Sequence, residues 1–295
     1  MRKEFDLRIK GRSYRFDRAW LMGIVNVTPD SFYEGGSFRD PERAIEHGLQ
    51  LAEDGADIID VGGESTRPGA DPVMAEEESR RVVPVVAGLR AKTKTLISVD
   101  TMKPDVAAAA LDAGADIIND ISSFRLDPRI LDLAARKKAG FILMHMQGTP
   151  KTMQAHPHYD DVIGEIRSFL SQKIEVAEAY GLRREHLIID PGIGFGKRLE
   201  DNLALLNGLE AFLELDRPIL VGVSRKSFIG KILNAPPEDR LEGTIAASVV
   251  SLVRGAHILR VHDVRAVKRA VLVAEAILAD YRGKNPGDEK AGYVH

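Results

Sequence analysis

The chain has 295 residues, 44% of them hydrophobic and 29% charged, with a formal net charge of -3 and no cysteine. This composition excludes extended disorder, disulfide frameworks, thiolate nucleophiles and Cys-ligated metal centres. The slight acidic excess argues against nucleic acid or an anionic membrane as a partner, and neither an apolar signal core nor 18 consecutive apolar residues occur, so a cytoplasmic location is expected.

Residues 5 to 17, "FDLRIKGRSYRFD", alternate apolar and polar positions around a Lys-Gly-Arg turn and predict a β-hairpin capping the bottom of a larger unit. From residue 20 onward, short apolar runs alternate with segments of helical period. The runs are "LMGIVNVT" (21 to 28), "DIIDVGGES" (57 to 65), "TLISVD" (95 to 100), "DIINDIS" (116 to 122), "GFILMHM" (140 to 146), "LIIDPGIG" (187 to 194), "PILVGVS" (218 to 224) and "HILRVHD" (257 to 263). Near-continuous apolarity of this kind is what a parallel strand buried on both faces requires.

Among the helical segments the last is the clearest, with Val264, Val267, Val271, Ala274, Leu278 and Tyr281 forming an apolar stripe opposite Arg265, Lys268, Arg269 and Glu275. In "EDGAD", "DAGAD" and "KKAGF" a glycine stands between helix-like and strand-like segments, as αβ connections favour. Eight βα units without a composition shift predict one α/β domain over residues 1 to 295, a (β/α)8 TIM barrel spanning 20 to 282 with the N-terminal hairpin in front. An open doubly wound sheet is the alternative. The tail from 283 to 295 has little to bury.

Each run ends in polar residues, and a closed barrel gathers those ends on one rim, where active sites lie. They are Asn26, Glu64-Ser65-Thr66-Arg67, Asp100, Asn119, His145, Asp190, Ser224-Arg225-Lys226, and Arg260 with His262 on one face of the last strand. Asp100, Asn119, Asp190 and Lys226 suit a flat polar heterocycle, because carboxylates accept paired N–H groups, an amide both gives and accepts, and Lys donates. Asn26, Thr66, Arg67, Arg260 and His262 offer amide, hydroxyl and cationic groups that suit a polyphosphate. Met144 and Phe195 are apolar walls for a ring.

Other motifs are weaker. "GIGFGK" (192 to 197) lacks P-loop and dinucleotide-fold spacing, and its glycines are readable as a tight turn alone. The loops "TPDSFYEGGSF" (28 to 38) and "ESTRPGAD" (64 to 71) have the Gly and Pro content of lids. His145, His156 and His158 match no familiar zinc spacing.

In order, "MGIVNVTPDSF", "DIIDVGGESTRPGA", "ISVDT", "DIINDIS", "MHMQGTP", "IIDPGIGFGK", "VGVSRKSFIG" and "RVHDV" resemble the motif series of the dihydropteroate synthases over nearly the whole chain. One departure is Glu34, two residues after "SF", where that family usually has Asp. The resemblance implies a transferase of folate biosynthesis. Its small-molecule substrates are 6-hydroxymethyl-7,8-dihydropterin pyrophosphate and 4-aminobenzoate, which give 7,8-dihydropteroate and pyrophosphate.

It further implies a pterin held at Asp100, Asn119, Met144, Asp190, Phe195, Gly222 and Lys226. Pyrophosphate would lie at Asn26, Thr66, Arg67, Arg260 and His262, with Mg2+ at Asn26. The aminobenzoate would lie at Phe32, Thr66, Pro68, Phe195, Lys226 and Ser227. Catalytic roles fall to Asp100, Lys226, Arg260 and His262, and a homodimer is implied. A pterin-dependent methyltransferase barrel would share the pterin set but has no need of Thr66, Arg67 and Arg260 for a pyrophosphate.

Overall fold

The computed structural model describes residues 5–28, 41–67 and 69–280. Phe32, Glu34, Pro68, Tyr281, most of the 28-to-38 loop and the tail from 283 lie outside the described residues. The expected hairpin is β1 (Asp6–Ile9) and β2 (Arg12–Arg15), antiparallel and turning through Lys10 and Gly11.

Eight parallel strands follow, each overlapping one apolar run: β3 (Trp20–Asn26), β4 (Ile58–Gly62), β5 (Leu96–Asp100), β6 (Ile117–Asp120), β7 (Gly140–Met144), β8 (Leu187–Asp190), β9 (Leu220–Gly222) and β10 (Ile258–Val261). Helices fill the gaps: α1 (Pro41–Glu53), α2 (Ala75–Lys92), α3 (Pro104–Asp112), α4 (Arg129–Lys137), α5 (Val162–Ala179), α6 (Leu199–Asn207), α7 (Ser227–Leu233), α8 (Leu241–Val253) and α9 (Val264–Asp280). The last strand pairs back onto the first, Ile258 opposite Trp20 and Val261 opposite Gly23, so the sheet is a barrel and not an open doubly wound sheet. Its seam lies between β8 and β9, joined by the bridge Ile189↔Ile219 and the hydrogen bond from Ile189 N–H to Pro218 O at 3.0 Å.

Side chains alternate across each strand, so one set packs outward under the helices and the other fills the barrel. Ile59, Val61, Ile97, Val99, Ile118 and Leu143 belong to the outer set. Met22, Ile58, Leu96, Ile117, Ile142, Ile188, Leu220 and Ile258 fill the lower interior, and the hairpin's Phe5, Leu7, Ile9 and Phe16 join this cluster as the expected cap. On α9 the stripe Val264, Val267, Val271 and Ala274 is buried as expected. In "KKAGF" the left-handed position falls on Lys138 (φ 51°) and not on the glycine. Gly140 instead opens β7, where a Cβ would stand 3.1 Å from Ile117 Cγ1 and 3.4 Å from Ile9 Cδ1 above the cap.

Two residues up each strand from that lower layer, the interior turns polar. Ile58 leads to Asp60, Leu96 to Ser98, Ile117 to Asn119, Ile188 to Asp190 and Ile258 to Arg260. Period-two alternation thus carries the polar groups from a dry floor up to the rim.

Candidate active site

A guanidinium bridging two carboxylates occupies the centre. Arg260 Nε donates to Asp60 Oδ2 and its Nη2 to Asp100 Oδ2, both at 2.7 Å. Asn119 Nδ2 donates to the same Asp60 oxygen at 3.2 Å. Asp60 is fully buried, and a carboxylate so placed is costly without hydrogen-bond donors and a compensating charge beside it. The sequence reading put Asp100 and Arg260 in separate pockets; the structure joins them, because opposite charges at neighbouring interior positions attract strongly where water is scarce. Burial pushes the Asp100 carboxyl up to about 7 against the pull of Arg260, with Asp60 adding to the rise.

Asp190, at the end of β8, accepts the Gly192 backbone N–H at 2.7 Å, and burial pushes it up to about 6. The glycines that follow are a packing requirement, which agrees with the plain turn reading. A Cβ on Gly192 (φ 70°) would stand 1.9 Å from the His145 carbonyl oxygen, and one on Gly196 would stand 2.7 Å from the Gln147 carbonyl oxygen. This close approach presents Phe195, which joins Met102, Ile121, Met144, Met146 and Met153 in an apolar cluster beside the polar floor. Lys226 stands at the first, N-cap position of α7 and places Nζ 4.0 Å over the Phe195 ring. Burial, then the nearby Arg260, lowers the Lys226 ammonium to about 8.

The "SRK" run sends its three side chains to three places. Ser224 Oγ lies 2.9 Å from His262 Nδ1 and accepts the His262 backbone N–H at 3.2 Å. Arg225, at φ 56°, closes on Asp263 through Nε at 3.1 Å and Nη2 at 2.7 Å, so it belongs to the frame. Only Lys226 turns to the pocket. Burial and Arg260 lower the His262 imidazole to about 4. It is therefore neutral at pH 7, where the sequence reading grouped it with cations.

Asn26 is half-buried at the end of β3, opposite Gly62, and Gly222 is half-buried at the end of β9, opposite Arg260. Thr66 is half-buried, while Arg67 and Ser227 are exposed. Among the described residues no hydrogen bond joins Thr66, Arg67 or Ser227 to the Arg260 group; Phe32 and Pro68 lie outside them.

Glu64, expected at the rim as a candidate, is instead structural. Lys103 Nζ bonds both Glu64 Oε2 and the fully buried Glu78 Oε2 of α2. The loop beyond Glu64 is docked, with Gly69 N–H on Pro150 O at 3.1 Å and Lys151 Nζ 3.1 Å from Asp71 Oδ1.

Sequence reasoning missed Asp60, Lys103 and Lys197. Asp60 left a signal, since a carboxylate inside "IIDVG" cannot be buried on either face without a partner. Lys197 is 3% exposed, with Nζ 2.9 Å from Phe195 O and 3.1 Å from His145 Nδ1. That contact, and the edge of Phe169 at 4.9 Å, account for His145 without a metal. Among the described residues no group of three His, Asp or Glu side chains is arranged to hold a metal ion. The Asn26 amide oxygen is a hard donor at the rim, and a single such ligand fits Mg2+ carried in on phosphate oxygens rather than a resident all-protein cage.

Comparisons with known proteins agree with this geometry. The family described as pterin binding enzyme matches residues 22–262. A dihydropteroate synthase of Synechocystis is 48% identical over 261 residues, spanning 88% of this chain and 90% of that relative. The solved dihydropteroate synthase of Xanthomonas albilineans with 4-aminobenzoic acid has a TM-score of 0.88 at 48% identity, covering 94% of this chain and 99% of the other. In complex with 7,8-dihydropteroate, the Xanthomonas enzyme has a TM-score of 0.85 at 46% identity, covering 93% and 99%.

Proposed function

Because the chain belongs to the pterin binding enzymes and, among them, to the dihydropteroate synthases, we propose that its rim pocket condenses 6-hydroxymethyl-7,8-dihydropterin pyrophosphate with 4-aminobenzoate. It is a transferase of folate biosynthesis. The observation that carries the reading is the convergence of Asp100, Asn119, Asp190 and Lys226 around an apolar wall, with Arg260 and His262 directly beside them.

The pterin lies against Met144 and Phe195, over Gly222, where the missing side chain leaves room. Its ring N–H groups donate to Asp100 and Asp190, Asn119 gives and accepts, and Lys226 donates to ring oxygen or nitrogen. Negative charge grows on the leaving pyrophosphate as the methylene C–O bond breaks. Arg260, Arg67 and the hydroxyl of Thr66 meet it there, and neutral His262 adds an N–H. When bound at the Asn26 oxygen, Mg2+ would supply further positive charge to those phosphates.

The electron-poor methylene is favoured by the two nearby carboxylates. The aminobenzoate nitrogen, with its ring held by Thr66, Phe195, Lys226 and Ser227, forms the new C–N bond and then loses its proton to water. An aniline nitrogen is unprotonated at pH 7, so no activated base is required. Arg260, bonded to Asp100 on one side and facing the leaving group on the other, sets positive charge beside the breaking C–O bond, and this supports a loose order in which cleavage runs ahead of attack.

The reading extends to a cytoplasmic homodimer of single-barrel chains. Val250 and Val253 on α8 with Leu272, Val273 and Ile277 on α9 are exposed apolar residues that a second copy would cover, and sedimentation at twice the chain mass tests this. No helix among the described residues is long and apolar enough to cross a membrane.

The deciding experiment measures pyrophosphate release with Mg2+ and the pterin pyrophosphate, with and without 4-aminobenzoate, in wild type and Lys226→Ala. Aminobenzoate-dependent dihydropteroate formation, lost in the variant, is expected. Pterin binding without turnover would return the chain to the methyltransferase reading.

A further inference from the structure

Two arginines of this chain hold a carboxylate through the same fork. Arg225 closes Nε and Nη2 on the two oxygens of Asp263, and Arg198 closes the same pair on Asp201 at 2.9 and 2.8 Å. This planar fork matches one carboxylate and gains from doing so. Arg260 splits it, giving Nε to Asp60 and Nη2 to Asp100. The split leaves a mark, because Asp60 Oδ1 is buried with no hydrogen-bond partner among the described residues. Its sibling Oδ2 meanwhile takes two donors, from Arg260 and Asn119. A buried acceptor left unmade is costly, so a second donor that reaches it is a gain.

We infer that Asp60 is the positioning residue of the leaving-group pocket: when the pterin takes Asp100, the Arg260 fork closes on Asp60 alone, using the carboxylate oxygen that is free in this structure. The inference rests on the pterin reading of Asp100 and adds to it a residue that neither substrate touches. In this structure Asp100 holds Arg260 in part. Ring N–H groups then replace Nη2 on Asp100, and Nη2 moves to Asp60 Oδ1. Arg260 keeps a counter-ion throughout, so it is neither expelled nor left buried and unpaired, and its Nη1 side stays available to phosphate oxygens. Asp60 is fully buried, on the strand between those carrying Asn26 and Asp100, which suits it to act through Arg260.

Without Asp60, Arg260 has only Asp100, and an entering pterin must compete for it. The test is a fluorescence titration of 6-hydroxymethylpterin lacking pyrophosphate, on wild type, Asp60→Asn, Arg260→Met and the double variant. Asp60→Asn is expected to bind about tenfold more weakly than wild type, the scale of one charged hydrogen bond. Arg260→Met in the same chain is expected to rescue it, so that the double variant binds within about threefold of Arg260→Met alone.

A general packing role for Asp60 would show no such rescue. Unchanged or tighter binding by Asp60→Asn overturns the inference, as does a double variant that binds markedly more weakly than Arg260→Met. Should Asp60→Asn fail to fold, the double variant, which removes Arg260 together with its Asp60 counter-ion, still decides through that last comparison. A wild type that binds the pterin yet makes no product with 4-aminobenzoate strikes the functional reading and leaves these titrations standing.

Discussion

Ser224 Oγ stands 2.9 Å from His262 Nδ1 while accepting the His262 backbone N–H at 3.2 Å. The oxygen already accepts one N–H, so the hydroxyl proton is expected to be donated to Nδ1. That arrangement predicts a neutral His262, kept so by burial, that carries its N–H on Nε2. Ser224→Ala frees the ring to take either tautomer and is expected to lower kcat about tenfold. Ser224→Thr, which keeps the hydroxyl, should remain within about threefold in steady-state assays, and equal losses in both would remove this role.

Carboxylates that accept ring N–H groups must be ionised. Protonation of Asp100 near 7 and Asp190 near 6 removes those acceptors, so kcat/KM falls as pH drops through both values. Asp100→Asn should leave a slower enzyme with a single acid limb near 6. A variant retaining the wild-type limb would show that another group sets it.

Lys226 over Phe195 joins a cation to the apolar wall. Phe195→Leu keeps the wall but loses the ring face, at an expected cost of about 1 kcal/mol in pterin binding. Isothermal titration with the pterin reads this directly, and an unchanged affinity would show that the ring serves only as bulk.

Lys197 has a folded-state pKa of about 7, lowered first by burial from the model-compound value of 10.5. Between those values the unfolded chain binds a proton that the folded chain does not, so this group makes stability rise with pH across that window. Lys197→Met abolishes the rise and leaves Phe195 O without its donor. Urea unfolding should show the gap between wild type and variant widening from about pH 7 to about pH 10. A constant gap would place the proton elsewhere.

Gly192→Ala puts a Cβ into the His145 carbonyl at a left-handed position, and a loss above about 2 kcal/mol is expected. Gly69, with φ 82° and nothing within 4 Å, isolates the backbone part, and Gly69→Ala should cost about 1 kcal/mol. Similar melting shifts in the two would argue that the His145 contact relaxes freely.

The barrel was legible because a strand buried on both faces must be apolar along its length, and eight such runs separated by helical stripes leave few alternatives. The rim was legible for the same reason: polar residues at the ends of apolar strands stand out. Asp60 was not recognised, because its partners Arg260 and Asn119 come from strands distant in sequence and only register brings them opposite. Lys103 and Lys197 escaped because lysines in loops usually face water, and nothing local shows that Glu78 or the Phe195 carbonyl waits beside them. Glu64 was misread through its company, standing next to Thr66 and Arg67 while its charge turns back to Lys103.

The barrel closes at β8 and β9 through the bridge Ile189↔Ile219, and these two strands lead into Asp190 and Lys226. So few bonds at one clasp predict that the hoop gives there first, across the gap between those two residues. A ring bridging both residues would span the clasp, and it is expected to stiffen the wall there.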